Sequence, residues 1–323
     1  MAERLVVLCQ VTEDCQLSCA FCAYDRRLPR PRRSADPERL AALGRRLAEL
    51  QERSGRPVLV SWLGGEPLTW PPLAALSRLF HRELGLAVSV TTNGTTLGSP
   101  RARQRLLEDH AEITVSIDGP GELHDRLRGW PGGFAFLEKA VRRLAGERSG
   151  AAPLLRANTV VMRDNVAALP ALWRALADWG FDELTWNQLG GRDRPEFFPA
   201  HRLAAGDIAF LQTLLPDLRA ELAARGVRLG GSAAYLERAA ASAGGRALPV
   251  ADCAPGQRFL FVSVDGRVSP CSFTTAELGL PAEELVPWPS LPGRFGAARA
   301  RARPGSCDDC PSTQVFGKFS VAP

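Results

Sequence analysis

The sequence predicts an α/β fold organised around a parallel sheet, and two observations carry that expectation. Apolar strand-like runs alternate with segments of helical spacing six times over the first 225 of 323 residues, the pattern of β-then-α units joined by right-handed crossovers. Three cysteines, Cys15, Cys19 and Cys22, follow the first of these runs. That is the carboxyl end of a strand, where sites form in open doubly wound sheets and in barrels alike. Both architectures fit the alternation.

In order, Leu5–Thr12 reads as a strand and Pro37–Arg53 as a helix with Leu40, Leu43, Leu47 and Leu50 on one face. Val58–Leu63 is a strand, Pro71–Leu84 a helix, Ala87–Thr92 a strand and Pro100–Asp109 a helix. Glu112–Ile117 is a strand, Phe134–Ala145 a helix, Leu154–Val161 a strand and Val166–Trp179 a helix. Glu183–Leu189 is the sixth strand and Gly206–Arg225 the sixth helix. Alternation along the first strand puts Val6, Leu8, Gln10 and Thr12 on one face and Val7, Cys9 and Val11 on the other. Polar residues at the carboxyl end of the first face suggest that it lines the mouth of the site. Cys9 then points outward as an ordinary buried thiol. The Ala/Gly-rich stretch 229–250 reads as a connecting segment between a first domain, 1–228, and a C-terminal domain, 251–323.

Apolar content of 45% and charged content of 23% are ordinary for a globular chain that buries a substantial core. The net charge is +5, from 38 Arg and only 2 Lys (Lys139 and Lys318) against 35 acidic residues. The arginines are spread among acidic neighbours without an interleaved aromatic stripe, so no nucleic-acid surface is expected. No window reaches the apolar length of a membrane span, and the N-terminus lacks the features of a signal peptide. A cytoplasmic protein is expected, in which eight cysteines serve metal or chemistry before disulfides.

Thiolates spaced as Cys15-x3-Cys19-x2-Cys22 are soft ligands suited to iron or zinc. Structural zinc is usually closed by four ligands, and no His or Cys lies close enough in sequence to be an obvious fourth. A cubane 4Fe–4S cluster held by three cysteines leaves one iron free. The spacing, with Phe21 just before the last cysteine, resembles the signature of the radical S-adenosylmethionine (SAM) enzymes. The resemblance implies a partial (β/α)6 TIM-like barrel. It also implies that the free iron chelates SAM, whose reductive cleavage yields a 5′-deoxyadenosyl radical that abstracts hydrogen from a substrate.

Further strand ends resemble the same family. Gly64-Gly65-Glu66-Pro67 matches its Gly-Gly-Glu-Pro motif, whose backbone binds the SAM amino group. Thr91-Thr92-Asn93-Gly94 and Ser116-Ile117-Asp118-Gly119 match the ends that face the SAM ribose and carboxylate. Each alone is also an ordinary turn sequence. The implied SAM contacts are Phe21, Gly64, Gly65, Glu66, Thr92, Asn93, Ser116, Asp118 and Asn158. Candidate catalytic or substrate residues are Gln10, His124, Arg156 and Asn187. His124 opens a His-Asp-x-x-Arg-Gly run similar to that of the subgroup with C-terminal auxiliary clusters, and bridging the loop is an equal reading of it.

Near the C-terminus, Cys253 precedes an apolar run, Phe259–Val264. Asp265-Gly266 makes a tight hairpin turn, and the return strand leads to Cys271. Cys307-Asp308-Asp309-Cys310-Pro311 supplies a second pair. Four thiolates in two pairs are also a common zinc set. The arrangement resembles the Twitch domain, a small α+β unit that holds one auxiliary 4Fe–4S cluster, as in 2-deoxy-scyllo-inosamine dehydrogenase-type enzymes. The expectation is therefore oxidation or decarboxylation of a small polar molecule (a sugar, aminocyclitol or nucleoside sugar acid of a natural-product pathway). The auxiliary cluster would take an electron, and a flavodoxin or ferredoxin-type protein would act as reductant. Arg156 is a candidate clamp for a substrate carboxylate. With Cys9 facing outward and the other cysteines in clusters, aminoglycoside epimerisation lacks its thiol donor. Modification of a ribosomal peptide is the other alternative. It is placed second because only fourteen residues precede Cys15, too few for a leader-binding domain there.

Overall fold

The computed structural model describes residues 4–150, 152–248, 250, 253–284 and 290–310. The chain runs β1 (Leu5–Thr12), α1 (Pro37–Ser54), β2 (Val58–Gly64), α2 (Leu73–Arg78), β3 (Ala87–Thr92), α3 (Pro100–Asp109) and β4 (Glu112–Ser116). It continues α4 (Glu122–Arg128), α5 (Gly133–Gly146), β5 (Leu154–Val161), α6 (Leu169–Asp178), β6 (Glu183–Gln188), α7 (Phe198–His201), α8 (Ala205–Ala224) and β7 (Arg228–Leu229). Last come α9 (Ala233–Ala243), β8 (Phe259–Val262), β9 (Arg267–Ser269), α10 (Thr275–Leu278), β10 (Leu280–Pro281) and α11 (Leu291–Arg301).

Strands β1 to β7 pair in sequence order, all parallel, as the expected partial barrel requires. β8 then pairs parallel with the free edge of β1, Val6 opposite Phe259, and β9 and β10 continue the sheet antiparallel. The sheet order is therefore β10-β9-β8-β1 through β7. Local sequence explains the helices that position the site. Asp36 caps α1 by accepting from the Glu38 and Arg39 amides, with Pro37 at the first turn. Ser99 and Pro100 begin α3 in the same way.

One main core joins the outward faces of the strands to the helix layer, and Val7, Cys9 and Val11 lie in it with Leu40, Leu43 and Leu47 of α1. Two differences from the sequence reading stand out. The expected helix over 71–84 is α2 followed by a widened turn, Leu79–Glu83, in which the Leu84 amide reaches the Leu79 carbonyl; apolar spacing does not register such a turn. Within the expected connecting segment, 229–250, lies a helix that packs on the barrel. This helix, α9, buries Tyr235 and Ala239 in the main core, and the Tyr235 ring packs 4.7 Å from that of Trp186 on β6. Residues 311–323 of the expected C-terminal domain, with Pro311 and Lys318, lie outside the described residues.

Candidate active site

The loop leaving β1 gathers Cys15, Cys19 and Cys22. It turns tightly: the Cys22 amide donates to the Cys19 carbonyl at 3.0 Å, and the Arg26 amide donates to Leu17 at 3.1 Å. Amides also point at sulfur, Leu17 to Cys15 Sγ at 3.5 Å and Tyr24 to Cys22 Sγ at 3.4 Å. The Asn93 side-chain amide reaches Cys15 Sγ at 3.7 Å. A small apolar cluster of Leu17, Cys19, Phe21, Leu127, Met162 and Leu189 surrounds the thiols, separate from the main core. Burial pushes Cys19 up to about 12 and Cys22 up to about 11, with the Arg128 charge opposing in both. Without a metal these thiols stay protonated at neutral pH, and a bound soft metal displaces the protons. Below the loop, buried Asp25 accepts from the Arg27 side chain and from Arg194 at 3.2 Å. The Arg27 hydrogen bonds are the main reason that its carboxyl falls to about 2.

The ends of β2, β3 and β4 brace this loop. A Cβ at Gly64 would lie 2.2 Å from the Thr12 carbonyl oxygen, and one at Gly65 would lie 2.0 Å from that of Asp14. Glycine is thus required where two backbones cross. Fully buried Glu66 accepts from Thr92 Oγ1 at 2.7 Å, the Asn93 amide at 2.7 Å and the Leu68 amide at 3.1 Å. Desolvation outweighs those donors and raises its carboxyl to about 6. Beyond β4, Asp118 is fully buried and accepts from Arg128 Nε at 2.6 Å and from the Val160 amide at 2.8 Å. The backbone carbonyl of Arg128 in turn holds the Ser18 amide at 3.3 Å, and its guanidinium lies 5.6 Å from the Phe21 ring centroid.

A cavity of about 820 Å³ fills the barrel interior. Val6, Leu8, Ser61, Thr114, Asn158 and Asn187 are among its walls. It rises from Arg156 and Glu112 at the amino ends of the strands to Arg192, Asp193 and Cys271 at the mouth. Among the described residues, Asn187 Oδ1 is buried there without a hydrogen-bond partner, an acceptor left for a ligand. Asp193 opens on the cavity and is exposed at its mouth; partial burial by its neighbours pushes its carboxyl up, against the pull of Arg30 and Arg192.

At the other side of the mouth, Cys253, Cys271, Cys307 and Cys310 form an all-thiol set. Burial first, and then the charges of the other three thiols, raise Cys253, while Arg299 lowers it. The Cys310 amide donates to Leu248 at 3.0 Å and the Val250 amide donates to Cys307 at 3.3 Å. Among the described residues, no three His, Cys, Asp or Glu side chains converge on a position for one metal ion. A cubane takes each thiolate on a different iron, and thiol-only donor sets suit it in both places.

The profile of the Radical SAM superfamily matches residues 9–164, from β1 through the cysteine loop to the end of β5. Over that stretch the chain is a radical SAM superfamily member. It is 26% identical over 282 residues to the AdoMet-dependent heme synthase of Oleidesulfovibrio alaskensis, covering 84% of this chain and 70% of that relative. To the PqqA peptide cyclase of Xanthomonas campestris pv. campestris it is 27% identical over 331 residues, covering 96% of this chain and 80% of that relative. Its fold is that of Streptococcus suis SuiB bound to S-adenosylmethionine, at a TM-score of 0.68, 15% identity, and coverage of 96% and 72% of the two chains. Radical SAM proteins use SAM and a 4Fe–4S cluster, and the thiol loop supplies donors of the right kind for that cluster. No helix of the described residues is long and apolar enough to cross a membrane.

Within the radical SAM barrel, several side chains do other work than the sequence suggested. Arg156 lies at the amino ends of the strands, bonded to Glu183 at 2.6 Å and Glu112 at 3.0 Å, and so is no free clamp for a carboxylate. His124 is fully buried, its Nδ1 accepting the Asp118 amide at 3.2 Å between the Trp130 and Phe134 rings. Burial lowers it to about 3, which keeps it neutral: it bridges the loop through Nδ1, while its buried Nε2 has no hydrogen-bond partner among the described residues. The Glu66 and Asp118 carboxylates are spent inside the protein and position their neighbours. Gln10 gives its amide to Tyr24 at 2.6 Å, and Thr12 is buried against Ser34, so only Val6 and Leu8 of the expected β1 face line the cavity. Asn158 and Asn187 do line it, and Asn158 accepts from Thr185 at 3.2 Å. Ser116 ends β4 opposite Asn158. Sequence reasoning passed over Arg128, although it is the arginine of the His-Asp-x-x-Arg-Gly run. It also passed over Arg192 and Asp193, which no motif marks.

Proposed function

We propose that this radical SAM enzyme abstracts hydrogen from a carbon of a peptide substrate. The observation that carries the reading is the similarity to PqqA peptide cyclase over 96% of the chain, a span that includes both cysteine sets. It reverses the order of the sequence expectation, which placed a small molecule first. Two fold neighbours, SuiB bound to precursor peptide SuiA and anSMEcpe with bound AdoMet and Cp18Cys peptide, hold peptides as well. In this reading Cys15, Cys19 and Cys22 hold the cluster that opens SAM, and Cys253, Cys271, Cys307 and Cys310 hold an auxiliary 4Fe–4S cluster that exchanges electrons. When bound, SAM and the first cluster supply the 5′-deoxyadenosyl radical. The chain's own residues supply the rest: Asn93 and the loop amides orient the Cys15 and Cys22 sulfurs, Phe21 and Met162 help to keep water from them, and Asn187 offers an acceptor inside the cavity.

A small polar substrate is the second reading, favoured by the neutral side chains Ser61, Ser89, Thr91, Thr114, Asn158 and Thr185 along the cavity. Cysteine-dependent epimerisation is disfavoured because Cys9 is fully buried in the main core, and decarboxylation loses Arg156 as a carboxylate clamp. A flavodoxin or ferredoxin-type reductant fits both readings. The test is substrate-dependent 5′-deoxyadenosine formation by the anaerobically reconstituted enzyme, measured with candidate precursor peptides and with sugars, aminocyclitols and uronic-acid nucleosides. Stimulation by a peptide together with a mass change in that peptide is expected. Stimulation by a small molecule alone overturns the peptide reading.

A further inference from the structure

One side chain from the loop after β6 reaches both halves of the C-terminal thiol site. Nη2 of Arg192 donates to the Ser306 carbonyl at 3.0 Å and also to the Asp309 carbonyl. It thereby grips the residue before Cys307 and the residue before Cys310. Its guanidinium also lies over the Phe273 ring, 4.6 Å from the centroid, two residues past Cys271. Arg238, Arg299 and Arg303 crowd the same region: Arg238 donates to the Cys310 carbonyl at 2.7 Å, and Arg303 donates to that of Cys307 at 3.1 Å. Of these four, only Arg192 lines the cavity, which Cys271 also borders.

We propose that Arg192 is a positioning residue for the auxiliary cluster, holding the Cys307–Cys310 pair against the Cys271 hairpin and raising the cluster's reduction potential. The inference rests on the reading that these four cysteines hold a 4Fe–4S cluster. A planar guanidinium can satisfy two carbonyls and stack on a ring at once, which an ammonium cannot. Reduction adds one negative charge to the cluster, and a fixed cation beside it favours that state. Because Arg192 also faces the cavity, substrate and auxiliary centre share one charged side chain.

The test uses the full chain carrying Cys15→Ala, Cys19→Ala and Cys22→Ala, so that only the auxiliary centre takes up iron. Iron content and a redox titration followed by electron paramagnetic resonance are measured with Arg192 unchanged, with Arg192→Gln and with Arg192→Lys. About four irons are expected in the parent, with a midpoint potential that shifts down in Arg192→Gln and lies between the two in Arg192→Lys. Iron lost from Arg192→Gln with an unchanged circular dichroism spectrum supports the holding role. Iron retained in Arg192→Gln at the parent's potential overturns the proposal, and so does an Arg192→Lys shift as large as that of Arg192→Gln. A parent without iron overturns the auxiliary-cluster reading itself, an outcome distinct from either.

Discussion

Glu66 binds three hydrogen-bond donors and is still driven toward protonation by its burial. Its carboxyl rises from an ordinary value of 4.5 to about 6 in the folded chain. The folded state therefore holds the proton more tightly than the unfolded one, and this residue's contribution to stability falls as pH rises through that window. The loss is about 2 kcal/mol at 1.36 kcal/mol per pH unit. Urea unfolding of the parent and of Glu66→Gln at pH 4.5 and pH 7 should give a stability difference that moves against the parent by about that amount. A difference independent of pH would contradict it. Asp118 instead meets a buried cation, Arg128 Nε at 2.6 Å. Asp118→Asn leaves Arg128 without its counter-charge and should cost about 3–5 kcal/mol, and it should lower iron uptake by the cysteine loop that the Arg128 carbonyl holds. Cys9→Ala should leave 5′-deoxyadenosine formation intact, since Cys9 touches only core; lost turnover with a trapped substrate radical would revive the epimerase reading.

At the scale of elements, the amino ends of the strands are laced by charge. Arg4 meets Glu112 at 2.6 Å, Arg156 meets Glu112 at 3.0 Å and Glu183 at 2.6 Å, and Arg228 meets Glu183 at 2.6 Å. Burial alone would raise the Glu112 carboxyl, but Arg156 and then Arg4 bring it below its ordinary value. This ladder ties β4, β5, β6 and β7 beneath the cavity, far from the cysteine loop. Arg156→Ala should destabilise by about 2–3 kcal/mol, the low side for a broken buried pair because Arg4 and Arg228 remain. Deoxyadenosine formation per folded molecule should be unchanged. A selective loss of that activity at full stability would restore Arg156 to the active site. The strands themselves were legible because buried parallel strands read as short apolar runs between helical repeats, and β1, β3, β5 and α3 have the expected bounds. The seven-residue α4 was not, since two turns between Gly121 and Gly129 hold a single apolar pair, Leu123 and Leu127, too short a repeat to register as a helix. Arg156 was misplaced for a related reason: period-two alternation gives the face of a strand but not the end of the barrel.

For the whole molecule, the C-terminal hairpin is an annex of the barrel sheet. β8 lies against β1, Arg33 from the cysteine loop pairs with Asp265 at the hairpin turn at 2.8 Å, and α9 packs on β6 through Tyr235. Of the two thiol sets, only the C-terminal one borders the cavity, through Cys271. The short spacings Cys15-x3-Cys19-x2-Cys22 and Cys307-x2-Cys310 are legible because they are local in sequence. The mouth of the cavity was not visible, because Arg192 and Asp193 acquire their meaning only when β6 and β8 are brought to the same sheet.

The most direct measurement is reductive cleavage of SAM by the anaerobically reconstituted chain, with 5′-deoxyadenosine quantified for the parent and for single alanine variants at Cys15, Cys19 and Cys22. The parent should form the product, and each variant should lose it. Product from any of the three variants at the parent's rate, or none from an iron-loaded parent, would contradict a cluster held by that loop.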